Sequence, residues 1–267
     1  MKNTVLIAVG KANVEPWNSI WEAGQNKTWA SQSVKGVDVI QFISKNAPNL
    51  IYKLDKIHYS NRSKKYIGLW QGRLDYFITR FISRKIPQYT FDKQKLILEV
   101  DNYSTWLLLG QRYGALFDWF LKYTDYNFLY TTNSSSYIIK ENLLKLVQDF
   151  NVNDNIYAGY LMPENQETQF VSGAGRLLSR SCVELMVKNW PRYTHSNIED
   201  VCIGDFLRDL GVLPIPLNTV QVPDLAAVLA LKTEVLESEF HFRCKGLDKV
   251  RNDIEIMTTL HKRISNL

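Results

Sequence analysis

The feature that most restricts the fold is the alternation of short, wholly apolar runs with helix-length amphipathic stretches. Val-Leu-Ile-Ala-Val at 5–9 stops at Gly10 and reads as a buried first strand, and VDVIQFIS at 37–44 reads as a second. Between them Pro16 suits the first turn of a helix running through Trp29. Trp106, Leu109, Tyr113, Leu116, Phe117 and Phe120 recur at three- and four-residue steps, which predicts an amphipathic helix over 104–123. NFLYTT at 127–132 then reads as a strand stopping at Asn133, Ser134 and Ser135, and ENLLKLVQDF starts another helix. IYAGYLM and QFVSGAG read as strands, 180–190 and 199–210 as helices, and 245–264 as a charged helical end. Strands alternating with helices imply an α/β fold, with a mostly parallel central sheet covered by helices on both faces. Ligands of such sheets gather beyond the carboxyl ends of the strands, here Gly10 and Asn133 to Ser135. No linker rich in Pro, Gly or Ser interrupts the chain, so 1–267 reads as one domain whose halves, 1–135 and 136–267, pack together.

Composition excludes several classes. With 45% apolar residues and 8 prolines in 267 residues, the chain is an ordered globular protein with a sizeable core. The longest apolar runs are far too short to span a bilayer, and the N-terminal one is too short for a secretory signal, so the expectation is a cytoplasmic protein. Cys182, Cys202 and Cys244 are odd in number with no CxxC pair, which favours ordinary thiols over a disulfide framework or a zinc site. Charge is unevenly placed: residues 53–95 carry eleven Lys/Arg against three Asp, interleaved with Tyr66, Trp70, Tyr76, Phe77 and Phe81. That mixture suits peripheral association with an anionic membrane face or a phosphate-bearing acceptor. A solvated helical face with its aromatics in the core is the plainer reading, and a nucleic-acid module is disfavoured.

The distal half holds the chemistry. Ser172-Gly173-Ala174-Gly175 reads as a turn where backbone approaches a ligand closely, or as a tight bend between strand and helix. Glu199 and Asp200 open an amphipathic helix, either as a positioned base or as acids placed for the helix dipole and cap.

Together with three further blocks these segments resemble glycosyltransferase family 31, the β1,3-glycosyltransferase and Fringe-type enzymes of GT-A fold. NKTWA at 26–30 is similar to the family's R-x-TW-G, and LEVDNYSTW at 98–106 to its D-x-x-DSY-x-N-L. FLYTTNSSSYIIKENLLKLV is similar to its F-x-x-K-x-DDD-x-F-V block, and the distal pair to Y-x-SG-x-GY-x-LS and EDV-x-x-G-x-C-L-x-x-LG. The resemblance implies a GT-A domain in which Asp200, with Glu199 beside it, activates the acceptor. It places Ser172, Gly173 and Gly175 at the donor sugar and acceptor, and puts Arg176 where an aromatic is usual, so that acceptor preference shifts. His241 matches a histidine that approaches the metal or diphosphate.

The sharp departure is at the family's three aspartates, here Asn133, Ser134 and Ser135. Neutral amides and hydroxyls are poor ligands for Mn²⁺ or Mg²⁺, so no divalent cation or other cofactor is expected. Lys11, Arg112, Arg243 and Lys245 are the candidates to hold a diphosphate in its place. The resulting expectation is an inverting, metal-independent hexosyl- or N-acetylhexosaminyl-transferase. It would use a nucleotide-sugar, UDP-linked by resemblance, and a saccharide or lipid-linked glycan acceptor, as in surface-polysaccharide synthesis. The alternative is an inactive sugar- or nucleotide-binding scaffold.

Overall fold

The computed structural model describes residues 2–50, 53, 84–106, 108–162, 169–196, 198–246 and 251–267. Most of the basic, aromatic stretch at 53–95 therefore lies outside the described residues. Strand β1 (Val5–Gly10) is followed by one α-turn, Trp17–Ser19, that runs into a π-helix, Ile20–Ala30. Then come β2 (Val37–Lys45), β3 (Tyr89–Asp92), β4 (Ile97–Tyr103), helix α1 (Leu109–Tyr123), β5 (Phe128–Asn133), β6 (Ser136–Ile138) and α2 (Lys140–Val147). The second half supplies β7 (Tyr157–Met162), β8 (Phe170–Ser179), α3 (Arg180–Asn189), α4 (Glu199–Asp209), β9 (Ile215–Pro216) and β10 (Val220–Gln221). It closes with α5 (Leu225–Ala230), α6 (Thr233–Ser238), β11 (His241–Arg243) and α7 (Asp253–Ser265).

Eight strands form one sheet in the order β3-β4-β2-β1-β5-β8-β7-β9, and β10-β11-β6 form a second. Pairing is parallel from β4 through β2 and β1 to β5 and again between β7 and β9, as the α/β pattern predicts. Antiparallel pairs enter at β3 and on both sides of β8. The apolar run of β1 explains itself here: Val5, Ile7 and Val9 face one core, with the π-helix, α2 and α7, while Leu6 and Ala8 face another, with α1, α3 and α4. A fully buried aliphatic side chain is worth about 1.5–3 kcal/mol, and in a strand covered on both faces every residue contributes it.

Two sequence expectations need correcting. The helix expected over 104–123 begins at Leu109, leaving Trp106 outside it and 55% exposed. The Trp106 carbonyl accepts a bond from His195 Nε2 at 2.8 Å instead of opening the helix. QFVSGAG is the strand it reads as, and Ser-Gly-Ala-Gly within it is no turn: it lies in β8, with Gly175 paired to Thr132 and Arg176 to Thr131 of β5. Gly175 serves packing, since a Cβ there would stand 2.2 Å from Tyr130 Oη and 2.6 Å from His241 Cε1.

The π-helix braces the loop that leaves β5. Gln25 Nε2 donates to the carbonyls of Asn133 (3.0 Å) and Ser136 (2.8 Å), and Trp29 Nε1 also donates to Ser136 O. At its other end Lys140, 2% exposed, donates to the carbonyls of Ala30 and Gln32. A cation there satisfies helix-end acceptors that would otherwise be buried unpaired. Helix α7 packs along the same element, with Gly24 giving Met257 room. Among the described residues no helix is long and apolar enough to cross a membrane.

Candidate functional site

The carboxyl ends of β1, β2, β4 and β5 open into one cleft of about 530 Å³. Gly10 and Lys11 follow β1, Asn46 and Ala47 follow β2, Ser104 to Trp106 follow β4, and Asn133 to Ser135 end β5. This is where an open parallel sheet exposes backbone N–H groups and loops to a ligand. Of the residues expected to bind a donor, Gly10, Lys11, Arg112, Asn133, Ser134, Ser135, Arg243 and Lys245 all line it.

Five cations, Lys11, Arg112, Arg243, Lys245 and Arg251, line the cleft, and among the described residues no carboxylate does. Lys11 is 8% exposed, and burial pushes its ammonium below the usual lysine range while Glu22 and Glu15 pull it back. Arg112 reaches the cleft from α1, with its guanidinium over the Phe42 ring at 5.3 Å and Nη1 donating to the Lys11 carbonyl at 3.3 Å. Its Nε is buried without an acceptor among the described residues. Arg243 is pulled below its ordinary range first by burial and then by neighbouring Arg251, with Asp200 and Asp253 opposing. Like charges crowded in low dielectric are costly, and a bound polyanion is the natural relief.

Arg251 carries no mark in the sequence beyond standing two residues before an acid at a helix start. Its Nε and Nη2 grip the two oxygens of Asp253, each at 2.9 Å, Nη2 donates to Ser135 Oγ at 2.7 Å, and the guanidinium lies 4.4 Å from the centre of the Trp17 ring. Its partner Ser135 is 116 positions away. Trp17 and Trp106 supply aromatic surface to the cleft; the sequence marks Trp106 only as a residue of the predicted helix face and Trp17 not at all.

The distal residues divide. Asp200 is half-buried at the first turn of α4, its oxygens accepting from Gly173 N (3.3 Å) and Val201 N (3.1 Å). It does not line the cleft, but its charge is felt by Arg243, which does. Ser172 and Gly173 are half-exposed beside it. Of the plainer reading of the acidic pair the dipole half holds, since Glu199 and Asp200 stand in the first turn of α4, while the cap position is Ile198 and carries no side-chain cap bond.

Glu199 and Arg176 need correcting. Their side chains are 4% and 0% exposed and joined by two bonds, Nη1 to Oε1 at 2.8 Å and Nη2 to Oε2 at 3.2 Å, over the Tyr113 ring. Burial pushes the Glu199 carboxyl up and the guanidinium pulls it back. The forked geometry is that of an ion pair, since arginine does not give up its proton. A pair so enclosed offers neither a base nor an acceptor contact, so it ties β8 to α4 behind Asp200.

His241 also turns inward. It is fully buried, Nδ1 within 3.1 Å of Tyr130 Oη and 3.0 Å of Thr219 Oγ1, Nε2 3.0 Å from Ser136 Oγ. Burial first and Arg243 second lower it to about 3, so it is a neutral structural imidazole out of a ligand's reach. Gly175, filled in by that same ring, likewise lies inside the sheet.

Residues 133–135 offer an amide and two hydroxyls, poor ligands for a divalent cation beside carboxylates. Asn133 Oδ1 accepts from Ser135 N at 3.0 Å and Ser135 Oγ accepts from Arg251, so two of these oxygens already have donors, one of them cationic. Among the described residues no three His, Cys, Asp or Glu come together as a metal site.

No protein-family model matches the chain, and no curated protein sequence matches it. Similar solved structures include a glycosyltransferase involved in glycosylation of the major capsid of PBCV-1, at 9% identity and TM-score 0.45, covering 99% of this chain and 100% of that one. They also include the apo form of the glycosyltransferase GlyE of Streptococcus pneumoniae TIGR4, at 10% identity and TM-score 0.45, covering all of this chain and 63% of that one. Mouse xyloside xylosyltransferase 1 is similar at 8% identity and TM-score 0.40, covering 91% of this chain and 97% of that one. At such identities the site has to be read from this chain's own geometry.

Proposed function

We propose that the chain is an inverting glycosyltransferase that moves a hexosyl or N-acetylhexosaminyl unit from a nucleotide-sugar, UDP-linked by resemblance, to a saccharide hydroxyl. The observation that carries this is a half-buried carboxylate, Asp200, whose charge acts on Arg243 in a five-cation cleft at the carboxyl ends of parallel strands. Asp200 takes the acceptor hydroxyl proton, the oxygen attacks the anomeric carbon from the far side, and the bond to the diphosphate breaks with its electron pair going to the leaving group. A single displacement of this kind inverts the anomeric centre. Charge building on the diphosphate is met by Lys11, Arg112, Arg243 and Lys245 through charge-assisted bonds, so no metal ion enters any step. The two backbone N–H bonds to Asp200 hold its carboxylate in one orientation.

Asp200→Asn keeps the shape and removes the base. With a panel of nucleotide-sugars and saccharide or lipid-linked glycan acceptors in EDTA, the wild type transfers sugar and the variant loses about 10²–10⁴-fold in kcat, the usual contribution of a positioned base. Transfer that needs added Mn²⁺, or that survives Asp200→Asn, refutes the corresponding half of the mechanism. Donor binding with no turnover over the whole panel would favour a binding scaffold.

A further inference from the structure

We infer that Arg251 is a diphosphate-binding residue, held in advance by Asp253, Ser135 and Trp17 so that its remaining N–H groups meet the ligand at the end of β5. This rests on the reading of the cleft as a nucleotide-sugar site and names the side chain that fixes the diphosphate within it. An arginine reaching into a polar cleft ordinarily sacrifices side-chain freedom when a ligand arrives. Here that freedom is already gone. Nε and Nη2 form a forked pair with Asp253, which is fully buried, and the side chain of Arg251 is 23% exposed. Nη2 also donates to Ser135 Oγ, and the Trp17 ring supports the guanidinium from its face. Nη1 has no acceptor among the described residues, while Arg251 itself lines the cleft. A guanidinium held through Nε and Nη2 keeps its full positive charge and leaves the two N–H groups of Nη1 in a fixed plane, where they can donate to phosphate oxygens.

The surroundings point to a dianion rather than a single carboxylate. Arg243 is near enough to be disfavoured by Arg251, and Asp253 offsets only one of the charges. The loop on which the ligand would rest is itself fastened from behind, because Gln25 and Trp29 of the π-helix hold the carbonyls of Asn133 and Ser136. Ser135 is therefore fixed at its flanking backbone by one element and at its hydroxyl by Arg251.

The test uses the full chain and inorganic pyrophosphate, followed by calorimetry at fixed ionic strength with EDTA present. Arg251→Met combined with Asp253→Asn removes the fork without orphaning the buried carboxylate and leaves net charge unchanged, so long-range attraction is constant. Arg251→Lys keeps the charge and loses the plane. The wild type is expected to bind pyrophosphate, the double variant to bind about 10- to 100-fold more weakly, and the lysine variant to fall between. Thermal melting confirms that each variant is folded. Equal affinity in the folded double variant overturns the assignment, as does wild-type binding that appears only with Mn²⁺. If pyrophosphate behaves as expected but no nucleotide-sugar is hydrolysed or transferred, the transferase reading fails while Arg251 stands as an anion-binding residue.

Discussion

Gly173 and Gly175 lie two residues apart on the same strand, and their surroundings leave very different room for a side chain. A Cβ at Gly173 would meet Asp200 and Glu199 at 3.7 Å, ordinary contact, whereas at Gly175 it would collide with Tyr130 Oη at 2.2 Å and the His241 ring at 2.6 Å. Gly175→Ala should therefore destabilise by about 1–3 kcal/mol through overpacking, and Gly173→Ala by much less, a contrast read directly in urea titrations of the two variants. Equal effects would mean that the strand, not the buried ring, needs the glycine. In the sequence the two are indistinguishable: a Gly-x-Gly reads as a turn, and nothing local reveals that a histidine 66 positions later fills the space. Lys11 and Arg112 are more legible, because one follows β1 and the other lies in α1, segments whose strand and helix character can be read, whereas Arg243 and Lys245 come to notice only beside the His241 of the resemblance. Arg251 is not legible, since what makes it special is a hydroxyl at the far end of another strand.

At the scale of elements, the tie between β8 and α4 is the Arg176–Glu199 pair, almost completely enclosed. Breaking a buried pair leaves a charge without a partner, so Arg176→Met should cost about 3–5 kcal/mol, and adding Glu199→Leu should recover most of that loss. A double-mutant cycle in denaturant measures it. If the double variant is no better than the single, the pair is not coupled as its geometry says. Catalysis enters separately, because Asp200 shares a helix turn with Glu199 and loses its bond to Gly173 N if α4 shifts on β8. The long elements can be read because burial on both faces writes an unbroken apolar run, as in β1, or a three-to-four periodicity, as in α1. The short strands escape for physical reasons. β3 is a half-buried edge of four residues, and β6, β9, β10 and β11 have two or three residues each, too few for any period to register.

For the whole molecule, the buried imidazole of His241 sets the acid limit. Its folded pKa is depressed to about 3, so its contribution to stability is complete above the unfolded value near 6.5 and is lost as pH falls from there toward 3. The slope from this one group approaches about 1.4 kcal/mol per pH unit through that window. His261, lowered by burial, acts in the same direction. Unfolding free energy measured from pH 7 to 4 should fall with that slope in the wild type and more gently in His241→Gln, which cannot ionise. Parallel curves would remove His241 from the account.

The position of Arg251 also bears on when the site comes into being. Lys11 leaves the first strand and Arg251 stands just before the last helix, so one cleft is built from opposite ends of the chain, and the helix after Arg251 packs on the π-helix behind the β5 loop. A growing polypeptide can form the parallel strands long before it possesses the guanidinium that braces Ser135. A polyanion seated between Lys11 and Arg251 would then fasten together two segments 240 positions apart in the sequence, so that its binding would oppose unfolding.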